Sequence, residues 1–383
     1  MARSVHVTSN RKRRQFAALI AIAIALLIYP VRNANDQFNT LELKADANET
    51  AVGGSNAAAQ KSISAGRNHT CALLSTGGVK CWGYNGVNAL GDGTYTSRYT
   101  PTNVSGLSSG VSAIAAGGSH TCALLSTGGV KCWGYNFYGQ LGDGLRADKT
   151  TPTDVSGLSS GVSAIVAGLN HTCALSSGGV KCWGWNSNGQ LGNGTNTDKT
   201  TPTDVSGLSS GVSAIAAGET HTCALLSTGR VKCWGSGDVG QLGNGIGGHQ
   251  TTPVDVAELT DASAISGGVY HTCALRSTGG VQCWGYNNYG QNGDGTTTAR
   301  STPRDVSGLS TGVTAITAGV KHTCALLSSG EVKCWGDNTK GVLGDGTTTQ
   351  RLTPVPVSDL TGVSAITAER HTCALLSSGA VKC

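Results

Sequence analysis

Beyond its first 35 residues this chain has no excess of positive charge. Arg3, Arg11, Lys12, Arg13, Arg14 and Arg32 all precede the first acidic residue, Asp36, so the remaining 21 of the 27 basic residues face 22 acidic ones. Proteins that hold nucleic acid through phosphate contacts carry a basic patch or stripe. None is visible here, and no nucleic-acid partner is expected. Glycine is abundant at 57 residues but lacks the three-residue period of collagen, which leaves tight turns as its use. Absent too is any single-copy Ser/His/Asp, Cys/His or paired-carboxylate constellation, so no catalytic residue and no enzyme is expected. Loops of the form Gly-Gln-Leu-Gly-Asp-Gly lack both the Asp-x-Asp ladder of calcium sites and the Lys-Ser/Thr of phosphate loops. They read as turns, with no cofactor and no metal.

The phrase His-Thr-Cys-Ala-Leu occurs seven times, starting at His69, His120, His171, His221, His271, His322 and His371. A second cysteine follows each. The expected disulfide pairs are Cys71 with Cys81, Cys122 with Cys132, Cys173 with Cys182, Cys223 with Cys233, Cys273 with Cys283, Cys324 with Cys334 and Cys373 with Cys383. All fourteen cysteines are used. From first cysteine to first cysteine the period runs 51, 51, 50, 50, 51 and 49 residues. A period near 50 marks an array whose units bury their faces against neighbours.

Within the second copy, Val111–Ala116, His120–Leu125, Val130–Trp133 and Thr151–Val155 read as four short antiparallel strands, repeated radially as propeller blades. The proline of the fourth suits an outer strand with a free edge. Setting Cys122 opposite Cys132 places Ala123 opposite Lys131 and Leu124 opposite Val130, with an odd loop around residues 126–128. Facing cysteines on antiparallel strands come within disulfide reach at the closer, non-hydrogen-bonded pairs. The third copy is one residue shorter in this turn, where the pairing tolerates it. Even number and regular spacing favour disulfides; free buried thiols and metal ligation are the alternatives. The histidines are expected to cap turns or bond a neighbouring blade's backbone. Trp82, Trp133, Trp183, Trp234, Trp284 and Trp335 are expected to pack between blades.

The N-terminus has its own pattern. Residues 1–15 form a basic cytoplasmic n-region, 16–31 a signal anchor or signal peptide of about fourteen apolar residues, and 32–61 a polar linker. Flanking cations stay inside, which puts the rest outside the cytoplasm, anchored to a plasma or inner membrane or secreted. Blades are expected near 62–110, 111–161, 162–211, 212–260, 261–312, 313–362 and 363–383. The seventh copy stops at Cys383, before its tryptophan, long loop and outer strand. The expected account is a sequence cut short of the natural end; the other is completion by a terminal segment such as 38–45, which alternates like a strand.

The phrases Ala-Ala-Gly-x-x-His-Thr-Cys-Ala-Leu, Val-Lys-Cys-Trp-Gly-x-Asn and Gly-Gln-Leu-Gly-Asp-Gly-Thr resemble those of the regulator-of-chromosome-condensation repeat family, in its bacterial alpha-tubulin-suppressor-like form. The resemblance runs from about Ser62 to the end. It implies an all-β, seven-bladed β-propeller of four-stranded antiparallel blades, the last incomplete, preceded by an N-terminal transmembrane or signal helix. One fold hosts many functions. The family's founding member is a nuclear guanine-nucleotide exchange factor, and a secreted relative inhibits β-lactamases. The wedge-like insertion that exchange uses is missing, so a GTPase partner is not expected.

Turns and links are near-identical between copies, whereas the residues before each histidine and the long loops vary. Arg67, Tyr84, Tyr135, Phe137, Tyr138, Trp185, Glu219, Tyr270, Tyr286, Tyr289, Lys321 and Arg370 occupy these variable positions. Aromatic and Arg side chains on a rigid face are the usual anchors of an interface. The expected function is a non-enzymatic, extracytoplasmic propeller that binds an unidentified protein, or a glycan, through this face; the alternatives the resemblance implies are an exchange-factor-like regulator of a GTPase and a secreted enzyme inhibitor of the β-lactamase-inhibiting type.

Overall fold

The computed structural model describes residues 63–383. The n-region, the apolar segment, the linker and the candidate strand 38–45 lie outside the described residues. Among those described, no helix is long and apolar enough to cross a membrane.

The described residues form 27 strands in seven antiparallel sheets, six of four strands and one of three, each sheet following chain order. The first strands of successive sheets neighbour one another, and the first strand of the seventh sheet, Val363–Ala368, returns to that of the first, Ile63–Ala65. The sheets are therefore seven blades round one axis. In the second blade the strands are Val111–Ala116, His120–Leu125, Val130–Gly134 and Lys149–Asp154. Pro152 lies in the outermost, as an imino acid without an N–H requires. The seventh blade ends with the short third strand Val381–Lys382.

Register follows the cysteines. Cys122 faces Cys132, Ala123 faces Lys131 and Leu124 faces Val130. Such close pairs bring Cα atoms to 4.1 Å, and the disulfide forms. Each of the other six blades carries the same staple between its second and third strands. Cys71 is bonded to Cys81 in the first blade and Cys173 to Cys182 in the third. Cys223 is bonded to Cys233 in the fourth and Cys273 to Cys283 in the fifth. Cys324 is bonded to Cys334 in the sixth and Cys373 to Cys383 in the seventh. Every expected pair is thus formed, and no cysteine among the described residues is free. The thiol and metal alternatives for the cysteines fall away. In the shortened third blade, Ser176 pairs with Gly179 across a two-residue turn whose centre, Ser177 and Gly178, has φ of 50° and 79°. Two positive φ values match the right-handed twist of the flanking strands.

Between blades, Trp133, Trp183, Trp234, Trp284 and Trp335 are each fully buried against the preceding blade. Trp133, for example, packs with Cys71, Val79, Leu90 and Leu107. Trp82 is half-buried, packed on the short seventh sheet.

The histidines do something the sequence reading missed: they bond a side chain of the next blade, not its backbone. His120 Nε2 lies 2.9 Å from Thr172 Oγ1, and Thr172 Oγ1 donates to Gln140 O at 2.8 Å. Trp183 Nε1 donates to the same carbonyl at 2.9 Å. Since the threonine proton is committed to the carbonyl, Nε2–H of the histidine is the donor, and the ring is neutral with Nδ1 bare. This clasp recurs from His69–Thr121 to His322–Thr372, and His371–Thr70, at 2.8 Å, closes the ring. The rings lie against glycine. A Cβ on Gly117 would meet His120 Cε1 at 2.6 Å and Gly168 O at 2.5 Å. Burial, assisted by neighbouring imidazoles, pushes His120, His171 and His271 down to about 3. Burial also lowers His69, His221 and His322 to about 4, and His371 in the same direction.

Two outcomes follow for stability. The folded state holds these rings neutral, so their contribution is whole above 6.5, the ordinary value, and is withdrawn as pH falls towards the depressed values. Each histidine contributes a loss of up to about 1.4 kcal/mol per pH unit in that window. Thermal melting at pH 7 and pH 5 is expected to show a steep fall at the lower pH; equal melting temperatures would rule out the neutral clasp. Removing one staple by Cys122→Ala with Cys132→Ala is expected to cost about 3 kcal/mol by loop-closure entropy, read as a lower denaturation midpoint.

Candidate functional site

Loops between first and second strands, and those between third and fourth, must emerge on one face of a four-strand meander. Backbone bonds tie them together there. Tyr135 N donates to Ser119 O, Trp185 N to Asn170 O and Tyr286 N to Tyr270 O, at 2.9–3.0 Å. A buried asparagine then sets the longer loop. Asn136 Oδ1 accepts from Leu141 N at 3.0 Å, and its Nδ2 donates to Asp143 Oδ1 and Ala147 O, both at 3.1 Å. In the equivalent loop of the first blade, Asp92 Oδ1 accepts from Thr94 N and Oγ1 while Oδ2 accepts from Arg98. These loop aspartates are committed to the turn.

On this pinned face the variable residues divide into three groups. Tyr135, Phe137 and Tyr138 of the second blade and Trp185 of the third form one aromatic patch, with ring centroids 5.1–6.4 Å apart. Arg146 holds it by donating to Phe137 O at 2.7 Å and pairing with Asp198 of the next blade at 3.5 Å. Tyr270, Tyr286 and Tyr289 of the fifth blade form a second patch, with centroids 6.1 and 6.2 Å apart. Lys321 of the sixth blade lies over the Tyr289 ring, 4.1 Å from its centroid, and donates to Tyr289 Oη at 2.9 Å. That bond raises the lysine above its ordinary value. Tyr84 is exposed and outside both patches.

Arg67, Glu219 and Arg370 sit elsewhere, at the mouth of the axial channel. Arg67 belongs to the first blade and Glu219 to the fourth, yet Nη1 and Oε1 are 3.3 Å apart, so the pair spans the opening. Arg370 Nη1 points to Asn68 Oδ1 at 3.5 Å. Sequence reasoning missed the fourth member, Glu369. It follows the seventh blade's first strand where the other six blades carry Gly66, Gly117, Gly168, Gly218, Gly268 and Gly319. That mismatch was the available signal. Its Oε2 is buried without a hydrogen-bond partner. Burial first, then the Glu219 carboxylate, pushes Glu369 up to about 7 against the opposing pull of Arg370 and Arg67.

The family model for the RCC1-like domain matches residues 160–383, and that for the regulator of chromosome condensation (RCC1) repeat matches 76–124 and 127–175, with a second repeat model at 60–88 and 111–140. The ultraviolet-B receptor UVR8 of Arabidopsis thaliana is 33% identical over 116 residues, 30% of this chain and 26% of that protein. The probable E3 ubiquitin-protein ligase HERC4 of Homo sapiens is 34% identical over 115 residues, 29% of this chain and 11% of that protein. The matches thus span about a quarter or less of these relatives. Among solved structures, human WBSCR16 superposes with a TM-score of 0.73 at 22% identity, covering 83% of this chain and 85% of that one. Prp20p of Saccharomyces cerevisiae, described with its binding to Gsp1p and histones, superposes at 0.72 with 24% identity over 81% of this chain and 80% of that one. At these identities the likeness establishes the fold. None of these likenesses supports excluding a GTPase partner.

A raised carboxyl value means the folded state resists ionisation, so stability is lost as pH rises through 4.5 to about 7. Glu369→Gln is therefore expected to melt above wild type at pH 8, by up to about 3 kcal/mol, and to match it near pH 4. A variant less stable at pH 8 would refute the assignment.

Proposed function

The chain belongs to the regulator of chromosome condensation (RCC1) repeat family, and from that premise we propose that it is a non-enzymatic, extracytoplasmic propeller that binds a protein partner through its variable loop face. The observation that carries this reading is the pair of aromatic patches on one face, each held by fixed polar contacts. Aromatic side chains supply large contact area at low entropic cost and dominate interface energetics. A rigid β scaffold beneath variable loops is the usual division of labour in binding proteins. Seven disulfides accord with an oxidising compartment.

A second reading is regulation of a GTPase in the manner of an exchange factor. It is favoured by the superposition on Prp20p, a protein that binds Gsp1p.

The test is partner capture from an extracytoplasmic fraction, using wild type and a Tyr135→Ala/Trp185→Ala/Tyr286→Ala variant that removes anchors from both patches. Capture is expected to fall at least tenfold in the variant. Equal recovery would sink the face assignment, and stimulated GDP release from a candidate GTPase would establish the second reading.

A further inference from the structure

The axial channel encloses a cavity of about 280 Å³, walled by first strands that present Ile114, Ile165, Ile215 and Ile265 among alanines and serines. That is near the lower end of small-molecule sites, roughly 300 Å³. Its chemistry is set at the mouth.

The four charged groups there are layered. Glu219 is 10% exposed and lines the cavity with Glu369, whereas Arg67 is 37% exposed and Arg370 is exposed outright. Acceptors face inwards and donors outwards. The blade clasp explains none of these residues, since six blades are built with glycine at the Glu369 position. A buried carboxylate oxygen without a donor costs free energy that folding alone would remove by substitution. Arg67, reaching across the ring to Glu219, is the resident cation of this opening.

We propose that the axial cavity is a binding site for an alkylammonium group, with its NH3+ held by Glu369 and Glu219 and its methylenes lying along the isoleucine and alanine staves. An anionic ligand would meet two inward carboxylates, and a neutral hydroxyl would offer a single donor without the charge that pairs with them. An ammonium on an apolar stem satisfies both the orphan acceptor and the apolar wall. The group could come from a free alkylamine or from a lysine of a docked protein. The site is independent of the aromatic patches, so it stands or falls apart from the loop-face reading.

Calorimetry at pH 8 tests it with four probes on the full chain: hexylamine, hexanol, hexanoate and a capped tripeptide with a central lysine. Hexylamine is expected to bind at least tenfold more tightly than hexanol or hexanoate. Glu369→Gln is expected to lose that tenfold while melting at or above wild type, which separates lost binding from lost folding. Affinity should also rise from pH 6 to 8 in wild type and stay flat in the variant, since the other groups facing Glu369 are Glu219, Arg67 and Arg370. Equal binding of amine and alcohol, a preference for hexanoate, or an unchanged Glu369→Gln would overturn the proposal. A tripeptide tighter than hexylamine identifies a protein lysine as the source; a weaker one identifies the free amine.

Discussion

At each of the first six joints one peptide carbonyl holds the ring together. Gln140 O accepts from both Thr172 and Trp183 of the following blade, while His120 of its own blade grips the same threonine from the other side. Every partner in that arrangement is buried, so each must be matched or the joint pays for an unsatisfied polar group. This constraint explains the sameness of the repeats. The histidine must be neutral, the threonine must carry a hydroxyl, and in six of the blades the residue over the imidazole is a glycine with no Cβ. The disulfides act one level lower, fixing strand register inside each blade so that threonine and tryptophan arrive at the joint together.

Much of the fold was legible in the sequence because its determinants are local. Cysteine spacing and the Ser-Thr-Gly-Gly turns give the register of the central hairpin, and the prolines mark outer strands by a missing donor. What was not legible is the histidine's partner. In sequence each histidine adjoins its own threonine, but it bonds the threonine one blade on, 50–52 residues away around the ring. Nothing in a single repeat reveals that displacement. The site was legible as a set of variable positions but not as geometry. Tyr138 and Trp185 belong to different blades, yet their rings meet. Arg67 and Glu219 are three blades apart, and only the closed ring brings them together. Glu369 was not legible among the variable loop positions, because its signal is a single break in the glycine rule at a strand end.

Repetition sharpens functional inference here. Where six blades agree, a residue serves the clasp; where one departs and buries charge in doing so, the clasp offers no reason for it. The channel mouth is made of such departures, and so are the aromatic patches.

The closed ring also sets an order of events for the chain. Six joints link positions about 51 residues apart, but His371–Thr70 links positions 301 apart. Closing that longer loop costs about 1.6 kcal/mol more in chain entropy. That joint is bridged by His371–Thr70, by Ala65 N donating to Thr367 Oγ1 and by the contact of Trp82 with the seventh sheet. The first six joints can therefore be made as the polypeptide emerges, each blade docking on its predecessor, and the circle is sealed last. Glu369 and Arg370 stand on the seventh blade's side of that last joint and Arg67 on the first blade's side, so the channel mouth is complete only once the circle is sealed.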